Sequence, residues 1–400
     1  MENYTSNKII RCLYGAALIL LLALAFVLPS MAYAEDEGSR DTEDLLICSY
    51  MDPQVLLERE SRRILSELSL KEKVCQLFVV RPEALGGGAT VFSAPSQSGA
   101  EEYPAGGYIL FNANIKNSSQ LKTLTGALRD AFRIPAIISV DEEGGSVVRL
   151  ANTKALGIKN IGNMGAVGAT KDTLKAYQAG LYIGRYIREY GFNMDFAPDA
   201  DINTNPKNKV IGNRAFGSDP QLVSSMVSSA IDGFHRSNVG AVIKHFPGHG
   251  DTSADTHSGY VAVNKSWEEL LEAELVPFID NLSKTDAVMA AHITMKKVTD
   301  DGLPASLSKE LLTGKLREEL GYDGLIITDS LEMGAIKKNY GAEEAVIMAI
   351  EAGNDLLLMP VDYKKAVDAV LKALEEGRIS EERIDESVLR ILKYKLKYCY

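Results

Sequence analysis

Residues 244–257, KHFPGHGDTSADTH, concentrate the side chains that move protons and bind polar ligands. The segment holds His245, His249 and His257, three of the chain's five histidines, together with Lys244, Asp251 and Asp255. Imidazole changes charge near neutral pH, so a histidine-dense loop suits proton transfer. Asp255 stands two residues before His257. On a turning chain that spacing lets the carboxylate hydrogen-bond one ring nitrogen, orient the imidazole and raise its pKa. A long loop of glycine and small polar residues is costly in entropy, and such segments carry function more often than filler.

Two further stretches carry ionisable groups where chemistry would need them. Asp329, in IITDSLEM (326–333), closes an apolar run, so a strand tip would hold its carboxylate rigidly, as a nucleophile requires. DEEGG (141–145) follows another apolar run and leads to Arg149. Its two glycines allow a tight turn, and Asp141 and Arg149 are suited to binding sugar hydroxyls. An Asp after a strand is also a common helix N-cap, so each of these residues has a structural reading as well.

The elements that would position these groups are legible as alternation. Apolar runs at 77–80, 107–111, 136–140, 192–197, 241–246, 287–293, 325–328 and 355–359 have the length of strands buried on both faces of a parallel sheet. Between them lie stretches with helical spacing at 119–132, 173–190, 221–234, 266–281, 309–320 and 342–352, followed by 364–374 and 380–396. Ser266 followed by Glu269 predicts a capping box, and Gly321 and Gly353 predict helix stops. Eight strands alternating with helices predict an α/β fold, a (β/α)8 TIM-type barrel; a doubly wound open sheet is the alternative. No Gly-rich fingerprint follows the first run, which argues against a dinucleotide site. In such a barrel, Asp141, Asp199, Asp201, Lys244, His245, His292 and Asp329 would converge on the C-terminal mouth.

The KHFPGHGDTSADTH segment, Asp329 in IITDSLEM, DEEGG with Arg149, and GNRAFG (212–217) together resemble the β-N-acetylglucosaminidases of glycoside hydrolase family 3, in order from about 70 to 359. The resemblance implies a single-domain β-hexosaminidase acting through a covalent glycosyl-enzyme. It also implies Asp329 as nucleophile, His257 as general acid/base and Asp255 as its dyad partner. Asp141, Arg149, Arg214, Lys244 and His245 match the residues that grip the terminal N-acetylglucosamine. Most β-glucosidases of the family carry their acid/base on an additional domain, for which this chain lacks the length. Glu142 stands where the family usually has Gln. No cofactor or metal enters this scheme.

Rival readings remain at this level. His245, His249, His257, Asp251 and Asp255 could form a metal-ligand set, although barrel metal sites draw ligands from several strand ends rather than one loop. A wall-sugar binding protein without catalysis, or a family member with another sugar specificity, would keep the same pocket. The 400 residues are 46% hydrophobic and 24% charged, enough for a sizeable core, and the net charge of −11 disfavours nucleic acid as a partner. The partner expected is a carbohydrate, from peptidoglycan or chitooligosaccharides, with no stable protein partner.

The N-terminus speaks to location. Lys8 and Arg11 precede an apolar run at 13–28, then Pro29, Ser30 and Ala32-Tyr33-Ala34, which has the small-x-small form of a cleavage site. Residues 1–34 therefore read as a signal peptide, with an uncleaved anchor as the alternative. Residues 35–44 read as a polar linker and 45–400 as one catalytic domain. The expected location is outside the cytoplasm: secreted, wall-associated or periplasmic. No cysteine sits in a lipid-attachment position. Cys48, Cys75 and Cys399 do not form a disulfide framework, although a bridge between Cys48 and Cys399 would be allowed in an oxidising compartment.

Overall fold

Short apolar runs bounded by turns must satisfy their backbone groups by pairing side by side, and among the described residues ten strands result. They are β1 (Phe78–Val80), β2 (Gly107–Ile109), β3 (Ile137–Val140), β4 (Met194–Asp195), β5 (Gly240–Phe246), β6 (Val261–Ser266), β7 (Ala287–Ala290), β8 (Ile293–Lys297), β9 (Leu325–Thr328) and β10 (Leu357–Leu358). This computed structural model describes residues 52–205, 207–250 and 261–400. The export segment, the polar linker, Cys48, Asp255 and His257 lie outside the described residues.

Eight strands form one parallel sheet in the order β10-β1-β2-β3-β4-β5-β7-β9. A parallel bridge between Ile327 and Leu356 joins the two ends, with Thr328 N–H donating to Leu356 C=O at 3.0 Å. The sheet is thus a (β/α)8 barrel, as the alternation predicts. Every residue of these eight strands is buried, which is why they read as continuous apolar runs rather than alternating ones.

Three elements depart from the expectation. The run at 287–293 is not one strand: β7 ends at Ala290 and Ile293 opens β8, which pairs with β6 in a separate parallel ribbon. The bend falls at His292, whose Nε2–H donates to the Ser330 carbonyl at 2.8 Å. The expected helix at 266–281 is broken into Trp267–Glu272 and Val276–Ile279, with Pro277 in the first turn of the second piece, where its missing N–H costs nothing. The predicted capping box is present: Glu269 N–H donates to Ser266 Oγ at 3.3 Å, and Ser266 N–H donates to the Glu269 carboxylate at 2.6 Å. The helix expected at 309–320 is wound as a π-helix, Glu310–Glu319, in which Leu320 N–H reaches back five residues to the Lys315 carbonyl. Helix Ala342–Ala352 stops at Gly353, in the left-handed conformation at φ 114°.

Leu68 to Cys399 form one compact unit, while the helix Pro53–Ser66 and Tyr400 belong to another. Cys75 and Cys399 are buried with free thiols. At the N-terminal end of the barrel, buried Asp355 accepts hydrogen bonds from Ile326 N–H at 2.9 Å and Ser387 Oγ at 2.7 Å and pairs with Arg317 and Arg390. Among the described residues no helix is long and apolar enough to cross a membrane.

Lys395, on helix Glu381–Tyr398, is completely buried and donates to Gln76 Oε1 at 2.6 Å. Burial pushes its ammonium down to about 8. Between pH 8 and the ordinary lysine value the native chain therefore binds fewer protons than the unfolded one, and stability rises with pH across that window. Relative to Lys395→Met, wild type should gain up to about 3 kcal/mol as pH rises from 7 to 10.5. Denaturant unfolding of both proteins across that range measures it, and a pH-independent difference would contradict it.

Candidate active site at the barrel mouth

Each ionisable residue noted at a strand end lies at a C-terminal end. Asp141 follows β3, Asp199 and Asp201 follow β4, Lys244 and His245 lie in the last turn of β5, His292 follows β7 and Asp329 follows β9. Successive strand residues normally face opposite sides. The β5–β7 register shifts between Lys244 and Phe246, a bulge that lets both Lys244 and His245 reach the mouth.

The DEEGG turn completes the arrangement. Gly144 and Gly145 take φ values of 95° and 62°, which a side chain would strain, and a Cβ at Gly145 would lie 1.9 Å from Asn163 Oδ1. The chain doubles back, with Glu143 N–H donating to Val147 C=O at 2.9 Å, and returns Arg149 to Asp141. Arg149 Nη2 lies 3.2 Å from Asp141 Oδ2, and Lys244 Nζ lies 2.9 Å from Asp141 Oδ1 and 2.6 Å from Glu143 Oε1. Arg214, on the turn Gly212–Arg214, grips Glu143 in a fork of two 2.8 Å bonds and approaches Asp199 Oδ2 at 3.4 Å. Its turn is set by buried Asn208, whose side-chain oxygen accepts from Val210 and Ile211 N–H while its amide donates to the His249 carbonyl at 2.8 Å.

His245 is a neutral donor–acceptor in this setting. Burial and the cations Arg214 and Lys244 push its pKa down to about 4. Nδ1–H then donates to Asp201 Oδ2 at 2.7 Å, and Nε2 accepts from Arg214 Nη2 at 3.3 Å. Burial and the neighbouring Asp201 raise the Asp199 carboxyl above the ordinary carboxylate range. Burial alone would also raise Glu143, but Arg214 and Lys244 outweigh it and hold the carboxyl far below the usual range. The converse holds for Lys244: burial lowers it, and Asp141 and Glu143 more than restore it.

Asp329 is half-buried, and its Oδ1 accepts Ser330 N–H at 2.7 Å. Burial pushes its pKa up; the imidazoles of His292 and His245, the Ser330 N–H and the Lys244 ammonium pull it below the ordinary carboxylate value. It is therefore an ionised carboxylate at the tip of a buried strand. His292 braces the adjoining peptide through Ser330 C=O and shares a 2.7 Å bond with Ser306 Oγ.

The structure brings Asp141, Arg149, Arg214, Lys244 and His245 into one network. Asp255 and His257 lie outside the described residues. The sequence pattern gives Glu143 no role of its own, although it is the buried hub between Lys244 and Arg214. A run of three acids after a strand was the available signal. Among the described residues, Asp199, Asp201 and His245 have ligand atoms close enough to share a metal ion. His245 Nδ1 is already bonded to Asp201, and the Arg214 guanidinium sits against Asp199 and His245, so a cation's charge is already supplied there. That set fits an ion poorly, and it is not the single-loop set considered above.

A closed parallel barrel with a buried ion-pair network and an ionised strand-tip carboxylate at its C-terminal mouth defines a (β/α)8-barrel protein with the layout of an active site. The chain belongs to glycosyl hydrolase family 3: residues 69–394 match the glycosyl hydrolase family 3 N terminal domain. It is 33% identical over 321 residues to "Beta-hexosaminidase A" of Pseudoalteromonas piscicida, covering 74% of this chain and 54% of that protein. It is 33% identical over 347 residues to "Beta-hexosaminidase LpqI" of Mycobacterium tuberculosis, covering 82% and 83%. A solved glycoside hydrolase family 3 beta-N-acetylglucosaminidase from Paenibacillus sp. superposes with a TM-score of 0.78 at 42% identity, over 83% of this chain and 63% of that one. The chain thus spans about half the length of the Pseudoalteromonas protein.

Removing the hub should be costly, because it leaves buried cations underpaired. Glu143→Gln should lose about 3–5 kcal/mol of stability at pH 7. The folded-state pKa of Glu143 is depressed, so its contribution is present above the unfolded carboxylate value and lost as pH falls below it. The gap between wild type and variant should therefore narrow below about pH 4.5. Urea titrations at pH 7 and pH 4 measure it, and an equal gap at both would contradict the assignment.

Proposed function

We propose that this chain is an exported, retaining exo-β-N-acetylglucosaminidase that removes terminal β-linked N-acetylglucosamine from peptidoglycan fragments or chitooligosaccharides. The observation that carries the reading is Asp329: an ionised carboxylate at the tip of β9, facing a mouth already furnished with paired cations and carboxylates. The names of its relatives point to the same activity.

In this mechanism the sugar hydroxyls exchange hydrogen bonds with Asp141, Arg149, Lys244, Arg214 and neutral His245. Asp329 attacks the anomeric carbon as the bond to the departing oxygen breaks, forming a covalent glycosyl-enzyme. His257, oriented by Asp255, gives its proton to that oxygen. It then takes a proton from the incoming water, whose oxygen displaces Asp329 from the sugar. Two inversions retain the β-configuration. The roles of His257 and Asp255 rest on the sequence resemblance.

The signal-like segment 1–34 supports action in the wall or periplasm. Amino-terminal sequencing of the protein recovered outside the cytoplasm should begin at Glu35; an intact Met1 in the membrane fraction would point to an anchor instead.

The reading is tested by hydrolysis of p-nitrophenyl β-N-acetylglucosaminide against the β-glucoside. Clear preference for the acetamido sugar is expected. Preference for the glucoside would overturn the specificity, and folded protein inactive on both would favour a binding role. Asp329→Ala should abolish turnover while folding. His257→Ala should lose about 10²–10⁴-fold. That loss should be larger on chitobiose than on the p-nitrophenyl substrate, because p-nitrophenolate needs less protonation to leave. Equal losses on both would remove His257 as the acid.

A further inference from the structure

Of the three consecutive acids at the end of β3, Asp141 and Glu143 face the cations of the site, and Glu142 faces away from them. Glu142 is fully buried and accepts four hydrogen bonds. Its Oε2 accepts the backbone N–H of Arg149 at 2.6 Å and of Leu150 at 2.9 Å. Its Oε1 accepts the backbone N–H of Ala151 at 2.9 Å and the Tyr186 hydroxyl at 2.8 Å. Its own N–H donates to Asp195 Oδ1, at the end of β4, at 2.9 Å. One carboxylate therefore binds three successive peptide N–H groups of the segment that carries Arg149 and ties them to helix Thr173–Glu189 and to the barrel wall.

We propose that Glu142 is a positioning residue for substrate binding, setting the place of the Arg149 guanidinium from behind. This rests on the reading of Arg149 as a residue that holds the sugar. Among the described residues Arg149 has one carboxylate partner, Asp141 at 3.2 Å, and its Nε is buried without a hydrogen-bond partner. Its side chain lies over the Phe111 ring at 5.4 Å. The guanidinium is therefore not locked by its own bonds, and the main chain beneath it decides where it points. A carboxylate is the side chain suited to the task. It offers two acceptor oxygens, whereas an amide at the same place would turn an NH2 group toward backbone donors.

A double-mutant cycle separates this role from a general contribution to folding. Arg149→Ala should lower kcat/KM about 10–100-fold, chiefly through KM, as expected for a charged hydrogen bond to substrate. Glu142→Ala should lower it about 10-fold, with Glu142→Gln recovering part of the loss, and Tyr186→Phe about 3-fold. In the Arg149→Ala background each second change should alter kcat/KM by less than about 2-fold, because the group it positions is gone. Tyr186→Phe carries the test should Glu142→Ala fail to fold. Losses that multiply in the two backgrounds, or a lowered Tm with unchanged kcat/KM, would overturn the proposal. Wild-type kcat/KM in Arg149→Ala would overturn the assignment of Arg149 itself, and this proposal with it.

Discussion

The site depends on one buried ammonium. Lys244 is 2% exposed and lies at hydrogen-bond distance from both Asp141 and Glu143. An unpaired charge at such a place would cost several kcal/mol, so the carboxylates are a condition of its presence rather than an addition to it. Glu143 in turn needs Arg214, and Arg214 is shared with Asp199 and with His245. Once Lys244 is placed by β5, most of the mouth is determined by which groups can be buried beside it.

Charge is balanced partly by neutralising groups rather than by pairing them. His245 stays neutral between Asp201 and Arg214, and burial beside Asp201 raises the Asp199 carboxyl. This leaves the positive charge of Lys244 directed at Asp141, Glu143 and Asp329. Burial raises the Asp329 carboxyl, and His292, His245, the Ser330 N–H and Lys244 together bring it below the ordinary carboxylate value.

The barrel makes such a network affordable by rigidity. Eight parallel strands buried on both sides fix the strand tips, and the bulge at the end of β5 turns two consecutive side chains toward the same mouth. At the opposite end, Asp355 and its arginines join β9, β10 and the last helix. That network lies where the fold serves stability rather than chemistry.

Chain-local physics made much of this legible in the amino-acid sequence. All eight barrel strands were marked by apolar runs, because a strand buried on both faces has no polar side to conceal it. The Ser266–Glu269 cap and the Gly353 stop were visible because each depends on residues only a few positions apart. The strand-end acids and the basic residues of the network were visible as types and positions. The β6–β8 ribbon was not, since its residues are partners only across a bend at His292. Nor was the difference among Asp141, Glu142 and Glu143, three adjacent acids of like chemistry. Which of them meets Lys244, which meets Arg214 and which holds the Arg149 backbone is decided by turn geometry and by groups 44 to 103 residues away in the chain. Sequence determines which charges exist; only the closed barrel decides which are buried together, and burial sets both their protonation and their roles.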